Sequence, residues 1–314
     1  MTVTVGSSDV AAILGISPWQ SQWDVWARLT GLVPRYSQTD TQAQARGRWM
    51  EPALASRYAL DRQVEVWPGP QIGHEPMIGP EPWMHARPDY YARSAAEGAW
   101  LLEVKTTRTY DGWGADGTDK APPHYLVQCV WEAVVCLSER VDLVSYATID
   151  EEQRIYLIRP TERLRRSLVE RVRDWFEHHV VEGEPPAIDG SSGCMAALLA
   201  RHPVATPKTW VEATTADLAI AKDLVRVRQE LAHLADAKVE LENKFRDRIG
   251  DAYGLRDGKD LIATWGARKG SVKIDADRLR TELPEIAARY TTVGKPSRSF
   301  RFPFDHTDSN KETE

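Results

Sequence analysis

The residues with the clearest chemical potential are two carboxylates and one amine placed around an apolar stretch. Glu103 and Lys105 come fourteen and sixteen residues after Asp89. The run 100–104, Trp-Leu-Leu-Glu-Val, is typical of a buried strand, and because side chains alternate along a strand, Glu103 and Lys105 are predicted to share one face. Charged groups are costly to bury in so apolar a segment. The pattern therefore predicts that Asp89 and Glu103 hold a divalent metal beside Lys105, as in a phosphodiesterase site.

Five short motifs in a fixed order carry a resemblance to a known family. They are Gly-Ser-Ser-Asp at 6–9, Ser-Pro-Trp at 17–19, Gly-Arg-Trp-Met-Glu-Pro at 47–52, Pro-Asp at 88–89 with Glu-Val-Lys at 103–105, and Tyr-Leu-Val-Gln at 125–128. The acidic motif alone resembles the signature of the PD-(D/E)XK nuclease superfamily, a pattern short enough to arise by chance. Together the motifs, which span roughly residues 6 to 180, resemble the phage-type YqaJ/lambda exonuclease family, with its RecE-like alkaline exonucleases.

The resemblance implies a metal site built from the residues of these motifs. Asp89 and Glu103 supply the hard oxygen ligands that Mg²⁺ prefers, with Mn²⁺ able to substitute. The backbone carbonyl of Val104 adds a ligand in relatives. Glu51 resembles the family's additional acidic residue, which holds a second metal or orients water. The alternatives are that Asp89, Glu103 and Lys105 form a surface ion-pair set and that Glu51 is a solvated helix residue.

Two further side chains are expected to act on the nucleophile or on the phosphate. Lys105 either positions or activates the attacking water or stabilises charge on the phosphorane, and the sequence does not separate these roles. Gln128, on one helix face with Tyr125 and Glu132, is expected to orient the nucleophile or a metal-bound water. The alternative for Gln128 is a packed amide without a catalytic role.

Residues 6–14 are predicted to form a turn that leads into a helix. The free backbone N–H groups at the start of such a helix can bind an anion. In the related family this region receives the 5′-phosphate of the DNA end, so Ser8, Ser17 and Arg87 are the candidates for that contact. Plain helix capping by Ser8 or Asp9 is the alternative. Relatives carry an arginine several residues before this turn, and it has no counterpart here. Either Arg28, Arg46 or Arg48 replaces it, or phosphate recognition is weaker in this chain.

By resemblance, the chain is expected to be a metal-dependent 5′→3′ exonuclease that acts on the ends of double-stranded DNA. Such enzymes of phages and prophages leave 3′ single strands for homologous recombination. They work with a single-strand annealing protein of the RecT or Red-beta kind and form homo-oligomeric rings. Two alternatives stay open: a structure- or site-directed endonuclease of the same fold, and an inactive DNA-binding or scaffold protein. The joint presence of Asp89, Glu103 and Lys105 argues against the last.

The composition is that of an ordinary globular protein. The 314 residues are 27% charged and 42% hydrophobic, with a formal net charge of −6. A negative net charge is compatible with DNA binding if basic residues line a channel. With three scattered cysteines and neither a signal peptide nor a membrane span apparent, a cytoplasmic location in a bacterial host cell is expected. His85 is interpreted as structural. Trp19, Trp23 and Trp26 are expected in a core or interface role, with stacking on unpaired bases as the alternative.

The elements around these motifs predict a mixed α/β fold. Helices are predicted at 41–60, 122–137 and 161–181, and strands at 63–67, 83–92, 99–106, 141–149 and 154–158. This order predicts a central mixed sheet flanked by helices, which is also the PD-(D/E)XK core that the resemblance implies. A stretch rich in Pro, Gly and Ser suggests a nuclease domain at 1–186, a linker at 187–207 with a short helix at 194–200, and a helical and β-hairpin extension at 208–314.

The extension begins with a long helix that carries an apolar seam. Residues at alternating spacings of four and three form this seam: Ile220, Leu224, Val227, Leu231, Leu234, Lys238, Leu241 and Phe245. Such a seam packs either within the chain or against another subunit or partner, and both interpretations stay open. A hairpin of 262–265 with 271–274, a helix at 275–283 and a disordered polar tail of about a dozen residues are expected to follow.

Overall fold

A computed structural model describes residues 3–33, 41–70, 75–206, 208–267, 270, 274–292 and 301–303 of the chain. The chain divides into two compact units, Met1–Pro203 and Val204–Glu314. Among the described residues, no helix is at once long enough and apolar enough to cross a membrane. All the predicted site residues lie in the first unit.

A five-stranded mixed sheet forms the centre of the first unit. The strands of this unit are β1 (Glu65–Pro68), β2 (Met77–Ile78), β3 (His85–Ala86), β4 (Tyr90–Ser94), β5 (Gly98–Thr107), β6 (Val141–Ala147) and β7 (Glu152–Ile158). The central sheet has the order β1-β4-β5-β6-β7, while β2 and β3 pair separately. Only β5 and β6 run parallel within the central sheet; its other pairs are antiparallel. The middle strand, β5, carries Glu103 and Lys105.

Helices cover both faces of this sheet. They are α1 (Ser7–Ile13), α2 (Gln22–Leu29), α3 (Gln42–Arg62), α4 (Pro123–Val135), α5 (Glu162–Trp175), which continues as a π-helical turn at Phe176–Val181, and α6 (Ser192–Arg201). α4 forms the crossover between the parallel strands β5 and β6, as such a connection requires. The larger core joins one sheet face to α1, α2, α4, α5 and α6, and the smaller core joins the other face to α3. The predicted architecture, a mixed sheet flanked by helices, is confirmed.

The alternation along β5 separates the two cores and directs the charged residues. Leu102 and Val104 belong to the smaller core with α3, whereas Leu101 belongs to the larger core with α4. Glu103 and Lys105 share the face of Leu101, because residues two apart on a strand point the same way. Glu103 is almost fully buried on that face.

Two predicted elements of the first unit differ in the structure. The strand predicted at 83–92 is split into β3 and β4, since Pro88 lies between them and cannot donate a backbone hydrogen bond to a neighbouring strand. The segment predicted as a linker contains α6, whose Cys194 and Ala197 are buried in the larger core. The indole of Trp23 also donates to the carbonyl of Ala187 at 2.8 Å.

A buried polar network ties α3 to the middle of the sheet. Arg140 donates from Nε and Nη2 to both carboxylate oxygens of Asp142, at 2.6 and 2.7 Å. The hydroxyl of Tyr58 on α3 donates to Asp142 Oδ2 at 2.5 Å, and it accepts a hydrogen bond from the indole of Trp100 on β5 at 3.0 Å. Because Asp142 is fully buried, its charge depends on these partners. The network fixes α3, which carries Glu51, against β5.

Arg140→Ala is therefore expected to destabilise the protein strongly. It leaves the Asp142 carboxylate buried without its cation, and breaking a buried ion pair in this way costs about 3–5 kcal/mol. Urea unfolding measures the change, with Arg159→Ala as the matched control. Arg159 is 60% exposed and reaches Glu97 only at 3.8 Å, so its loss should cost about 1 kcal/mol or less. Equal losses in the two variants would contradict the role assigned to the network.

The second unit consists mainly of one long helix. Its elements are α7 (Thr215–Ile249), β8 (Gly254–Asp257), β9 (Asp260–Thr264), α8 (Ala276–Glu282) and α9 (Pro284–Arg289). The predicted helical and hairpin content is confirmed, while the predicted partner segment 271–274 lies for the most part outside the described residues. The strand around Ile262 pairs with the preceding β8 across a turn at Gly258, whose φ of +56° suits glycine. Residues 271–273 and the polar tail from 304 onward lie outside the described residues.

Candidate active site

The predicted carboxylates and amine come together where β4 and β5 pair. Tyr90 is the register partner of Leu102, which brings Asp89 beside the start of the Glu103–Lys105 segment. Asp89 Oδ2 accepts a hydrogen bond from the backbone N–H of Val104 at 2.9 Å. Lys105 Nζ donates to Glu103 Oε1 at 2.5 Å. The alternative of a surface ion-pair set is not supported, because Glu103 is only 1% exposed.

The loop that carries Asp89 is held by a close backbone approach. The N–H of Gly69 donates to the Asp89 carbonyl at 2.8 Å. A Cβ at Gly69 would lie 1.9 Å from the Pro88 carbonyl oxygen, so no other residue fits without moving this loop. Glycine is thus required here for contact between backbones, and this contact holds the backbone at Asp89.

Helix α4 brings an amide and a further carboxylate to the same place. Gln128 Nε2 donates to Glu103 Oε1 at 2.5 Å and to Glu132 Oε1 at 3.0 Å. Glu132 is fully buried. Glu103 Oε2 and Glu132 Oε2 are both buried, and neither has a hydrogen-bond partner among the described residues. Gln128 is therefore no mere packed amide, since it links the central carboxylate to a second one.

Glu51 on α3 completes a group of carboxylates around Lys105. It is partly buried, with the hydroxyl of Tyr90 close to its carboxylate. Burial, with the nearby charge of Glu103, raises the pKa of Glu51. Burial and the Glu51 charge raise the pKa of Tyr90 to about 12, so the phenol remains a donor. Glu51 thus belongs to the site and is not an independent solvated side chain.

The electrostatics of the site are those of crowded negative charge. Burial raises the pKa of Asp89 well above its ordinary value, and the charge of Glu103 adds to this effect. Burial and then Glu103 do the same to the pKa of Glu132. Burial lowers the pKa of Lys105, but the charges of Glu103 and Asp89 outweigh it, so the net shift is upward. Lys105 therefore keeps its proton beside carboxylates that repel one another.

The residues present fit a divalent cation. The described residues contain no set of three His, Cys, Asp or Glu side chains already arranged to hold a metal ion. The donor chemistry nevertheless suits one, because carboxylate oxygens are the ligands that Mg²⁺ and Mn²⁺ prefer. Glu103 Oε2 is buried without a hydrogen-bond partner among the described residues, and burial, with the added charge of Glu103, raises the pKa values of Asp89 and Glu51. A cation bound between these groups would satisfy the oxygen and relieve the repulsion.

Aromatic side chains lie against Lys105 and extend from there to the surface. Lys105 Nζ is 5.7 Å from the ring centroid of Tyr125. Tyr125 in turn contacts His124 and Trp19, with ring centroids 4.2 and 5.8 Å away. Trp19 is 68% exposed, whereas Trp23 and Trp26 are buried in the core. A core role thus fits Trp23 and Trp26, while Trp19 lies at the surface.

The candidates for the end-phosphate contact lie around α1 and the strand beside it. Ser8 is exposed in the first turn of α1. Ser17 lies beyond the other end of the helix. Its N–H donates to the Ala11 carbonyl at 3.1 Å, and its hydroxyl accepts hydrogen bonds from the N–H groups of Trp19 and Gln20. Arg87 follows β3, which is linked to the segment before α1 by the bridge between Val5 and Met84.

Of the three arginines considered as replacements, Arg28 lies at α1. It forms an ion pair with the buried Asp9, which also accepts from the N–H of Gly6 at 3.0 Å. Arg46 and Arg48 lie instead on the exposed side of α3. His85 packs against Gly6, where a Cβ would come within 2.9 Å of His85 Nε2. This packing agrees with a structural role for His85.

Three members of the site needed the folded structure to be recognised. Glu132 was placed on the face of Gln128, but its contact with the site depends on how α4 packs against β5. The signal available in the sequence was a carboxylate inside the apolar run 129–135. Tyr90 as the partner of Glu51, and Arg28 as the partner of Asp9, join residues far apart in sequence, and no local spacing indicates them.

Comparison with known proteins agrees with the predicted resemblance. Residues 2–139 match the family model described as the YqaJ-like viral recombinase domain. This span includes all the predicted site residues. Over 302 residues, which are 95% of this chain and 90% of the relative, the sequence is 24% identical to the uncharacterized protein YqaJ of Bacillus subtilis (strain 168). The predicted resemblance to this family is therefore confirmed.

Two of the solved structures that match part of this chain are exonucleases. The crystal structure of an alkaline exonuclease (LHK-Exo) from Laribacter hongkongensis is 20% identical, with a TM-score of 0.45, over 57% of this chain and 89% of that chain. A phage-related exonuclease from Haemophilus somnus 129PT is 9% identical, with a TM-score of 0.41, over 59% of this chain and 98% of that chain.

Proposed function

We propose that this chain is a metal-dependent deoxyribonuclease whose active site is formed around Asp89, Glu103 and Lys105. The observation that carries the proposal is the burial of Glu103 with one unpartnered oxygen, beside Asp89 and a protonated lysine. Such crowding is unfavourable for stability alone. It is the arrangement expected where a divalent metal and a phosphate bind. The match of residues 2–139 to a viral recombinase domain supports the same reaction class.

Each side chain then has a defined task in phosphodiester hydrolysis. A metal held by Asp89 and Glu103, with the Val104 carbonyl as a further ligand, would lower the pKa of bound water and neutralise charge on the phosphate. Lys105 presents a fixed positive charge to the developing phosphorane, because it keeps its proton. Gln128 donates to one oxygen of Glu103 and leaves the other for a ligand.

Glu51 adds a carboxylate next to this centre. It is partly buried beside Tyr90 and close to Lys105, so it can orient the attacking water or take part in holding a second metal. Glu132 has no assigned contact with the substrate. Its hydrogen bond from Gln128 fixes the orientation of that amide, and it is therefore a positioning residue.

The finer proposal is a 5′→3′ exonuclease on double-stranded DNA ends that uses Mg²⁺, or Mn²⁺ in its place, and leaves 3′ single strands. The family resemblance supports this polarity. It also supports a homo-oligomeric ring and cooperation with a single-strand annealing protein of the RecT or Red-beta kind. The alternative is an endonuclease that uses the same chemistry on particular DNA structures or sites.

Linear and covalently closed duplexes of the same sequence distinguish these activities. With Mg²⁺ present, the proposal expects nucleotides to be released from linear DNA only, and chelation of the metal should stop the release. Nicking or linearisation of the closed form would favour the endonuclease. A failure to cleave either form with Mg²⁺ or Mn²⁺ would reject nuclease activity and favour a binding or scaffold protein.

The candidate phosphate contacts predict a preference for phosphorylated ends. A guanidinium and hydroxyls around Ser8, Ser17 and Arg87 should bind a 5′-phosphate better than a 5′-hydroxyl, because charge-assisted hydrogen bonds are the stronger ones. We expect initial rates on 5′-phosphorylated duplex to exceed those on 5′-hydroxyl duplex by on the order of tenfold. The comparison uses one duplex with and without enzymatic phosphorylation.

Arg87→Ala should reduce this preference while leaving the rate on 5′-hydroxyl ends nearly unchanged. Arg28→Ala is a poorer probe, since it would leave the buried Asp9 without its cation and destabilise the fold. If the wild type cleaves 5′-phosphorylated and 5′-hydroxyl duplexes at equal rates, Ser8, Ser17 and Arg87 do not recognise the end phosphate.

A further inference from the structure

The apolar seam on α7 is exposed in the structure. Ile220, Leu231, Leu234 and Leu241 are 66, 60, 66 and 58% exposed. Along the whole helix, Ile249 at its end is the buried residue. A helix of this kind derives most of its stability from burying its amphipathic face rather than from intrinsic propensity. We therefore expect another protein surface to pack against the exposed seam.

The seam residues follow a heptad repeat that continues to both ends of α7. Its core positions, from Asp217 to Arg248, lie alternately three and four residues apart in the sequence. Leucine, isoleucine, valine and phenylalanine fill seven of the ten positions, and Asp217, Lys238 and Arg248 are the charged exceptions. A 35-residue helix extends about 50 Å, which is long enough for a two-stranded coiled coil.

We propose that α7 pairs in antiparallel fashion with α7 of a second copy of this chain. The charged core positions determine this choice of partner and direction. With the two helices fully overlapped, antiparallel packing places each a position of one helix against a d position of the other. Asp217 then faces Arg248 of the second copy at both ends, and Lys238 faces Val227. The remaining layers are Ile220 against Phe245, Leu224 against Leu241, and Leu231 against Leu234.

A parallel, in-register pair makes the opposite contacts. It would place Asp217 against Asp217, Lys238 against Lys238 and Arg248 against Arg248, so every charged layer would be repulsive. In the antiparallel pair the Lys238 stem can cover Val227 while its ammonium reaches water. The seam is thus complementary to itself through a two-fold axis between Leu231 and Leu234. A contact of this kind is isologous, so it joins copies in pairs and is separate from the heterologous contacts that would close the proposed ring.

The first test compares seam and off-seam substitutions in the full-length chain by light scattering. Leu231→Ala with Leu234→Ala should lower the measured mass to half the wild-type value, and the double change to Asp should do the same. The Ala pair keeps helix propensity. The control is Leu218→Ala with Val239→Ala, at exposed apolar positions of 45 and 51% outside the seam. It should leave the mass unchanged.

Three results of this test would overturn the proposal. A wild-type protein that is monomeric, near 35.4 kDa, would mean that the seam binds within its own chain or to a different protein. A seam variant of unchanged mass would remove α7 from the interface. An equal loss of mass in the control would show that the seam has no special part in assembly.

The second test distinguishes antiparallel from parallel pairing at Val227. In the antiparallel pair Val227→Glu faces Lys238 of the second copy, whereas Val227→Lys adds like charge. We therefore expect the dissociation constant of the Lys variant to exceed that of the Glu variant by about tenfold or more. In a parallel pair each variant would face itself, and the two would weaken assembly equally. Equal weakening would overturn the antiparallel arrangement.

Discussion

Asp89→Ala and Glu103→Ala are expected to abolish DNA cleavage while leaving the fold intact. Each removes a proposed metal ligand, and the loss of metal-assisted charge stabilisation, several kcal/mol, corresponds to a rate decrease on the order of 10³-fold or more. A nuclease assay at saturating Mg²⁺ measures this effect. Glu65→Ala is the control, since it removes a carboxylate from the exposed edge strand β1 and should keep full activity.

Thermal melting separates this result from simple unfolding. Because burial and Glu103 raise the pKa of Asp89, the metal-free fold carries repulsion that Asp89→Ala relieves. The variant should melt no lower than the wild type without metal. Added Mg²⁺ should raise the melting temperature of the wild type, which binds it in the folded state, more than that of the variant. Near wild-type turnover in either variant would reject the two-carboxylate site.

Lys105→Ala is expected to slow the chemical step of cleavage more than it weakens metal binding. If its charge stabilises the phosphorane, kcat should fall by about 10²-fold or more, while the Mg²⁺ concentration at half-maximal rate changes little. The metal-free protein should also lose stability, because Glu103 and Asp89 then lack their neighbouring cation. This change in stability is opposite in sign to that of Asp89→Ala.

A second substitution at the same position tests whether charge is the property that matters. Lys105→Gln keeps a hydrogen-bond donor toward Glu103 but removes the charge, so it should be as inactive as the Ala variant. If kcat recovers at high Mg²⁺ in either variant, Lys105 supports metal binding and has no direct part in the chemistry.

The sequence predicted the central pair of the site because that pair depends on local rules. Alternation along β5 placed Glu103 and Lys105 on one face, and their burial in an apolar strand indicated a shared ligand. Contacts between distant elements followed no such rule. The approach of Glu132 depends on the packing of α4, and the ion pair of Arg28 with Asp9 depends on the packing of α1 and α2.

The boundaries and pairing partners of the strands also depend on features that local sequence patterns do not predict. Pro88 divides the segment predicted as one strand, and this break places Asp89 at the beginning of β4. In the second unit, the apolar residues around Ile262 form the predicted strand, and this strand pairs with β8, a partner that the sequence did not indicate. Apolar alternation predicts that a strand pairs, while the turn at Gly258 determines which segment it pairs with.

The most direct measurement of the central claim is digestion of a linear duplex labelled at a single 5′ end or a single 3′ end. Wild-type protein and Glu103→Ala are compared with Mg²⁺ and with chelator. The account predicts early release of the 5′ label as mononucleotide, delayed change at the 3′ label, and no release by the variant or without metal. Release by Glu103→Ala at the wild-type rate, or cleavage that persists without any divalent metal, would contradict it.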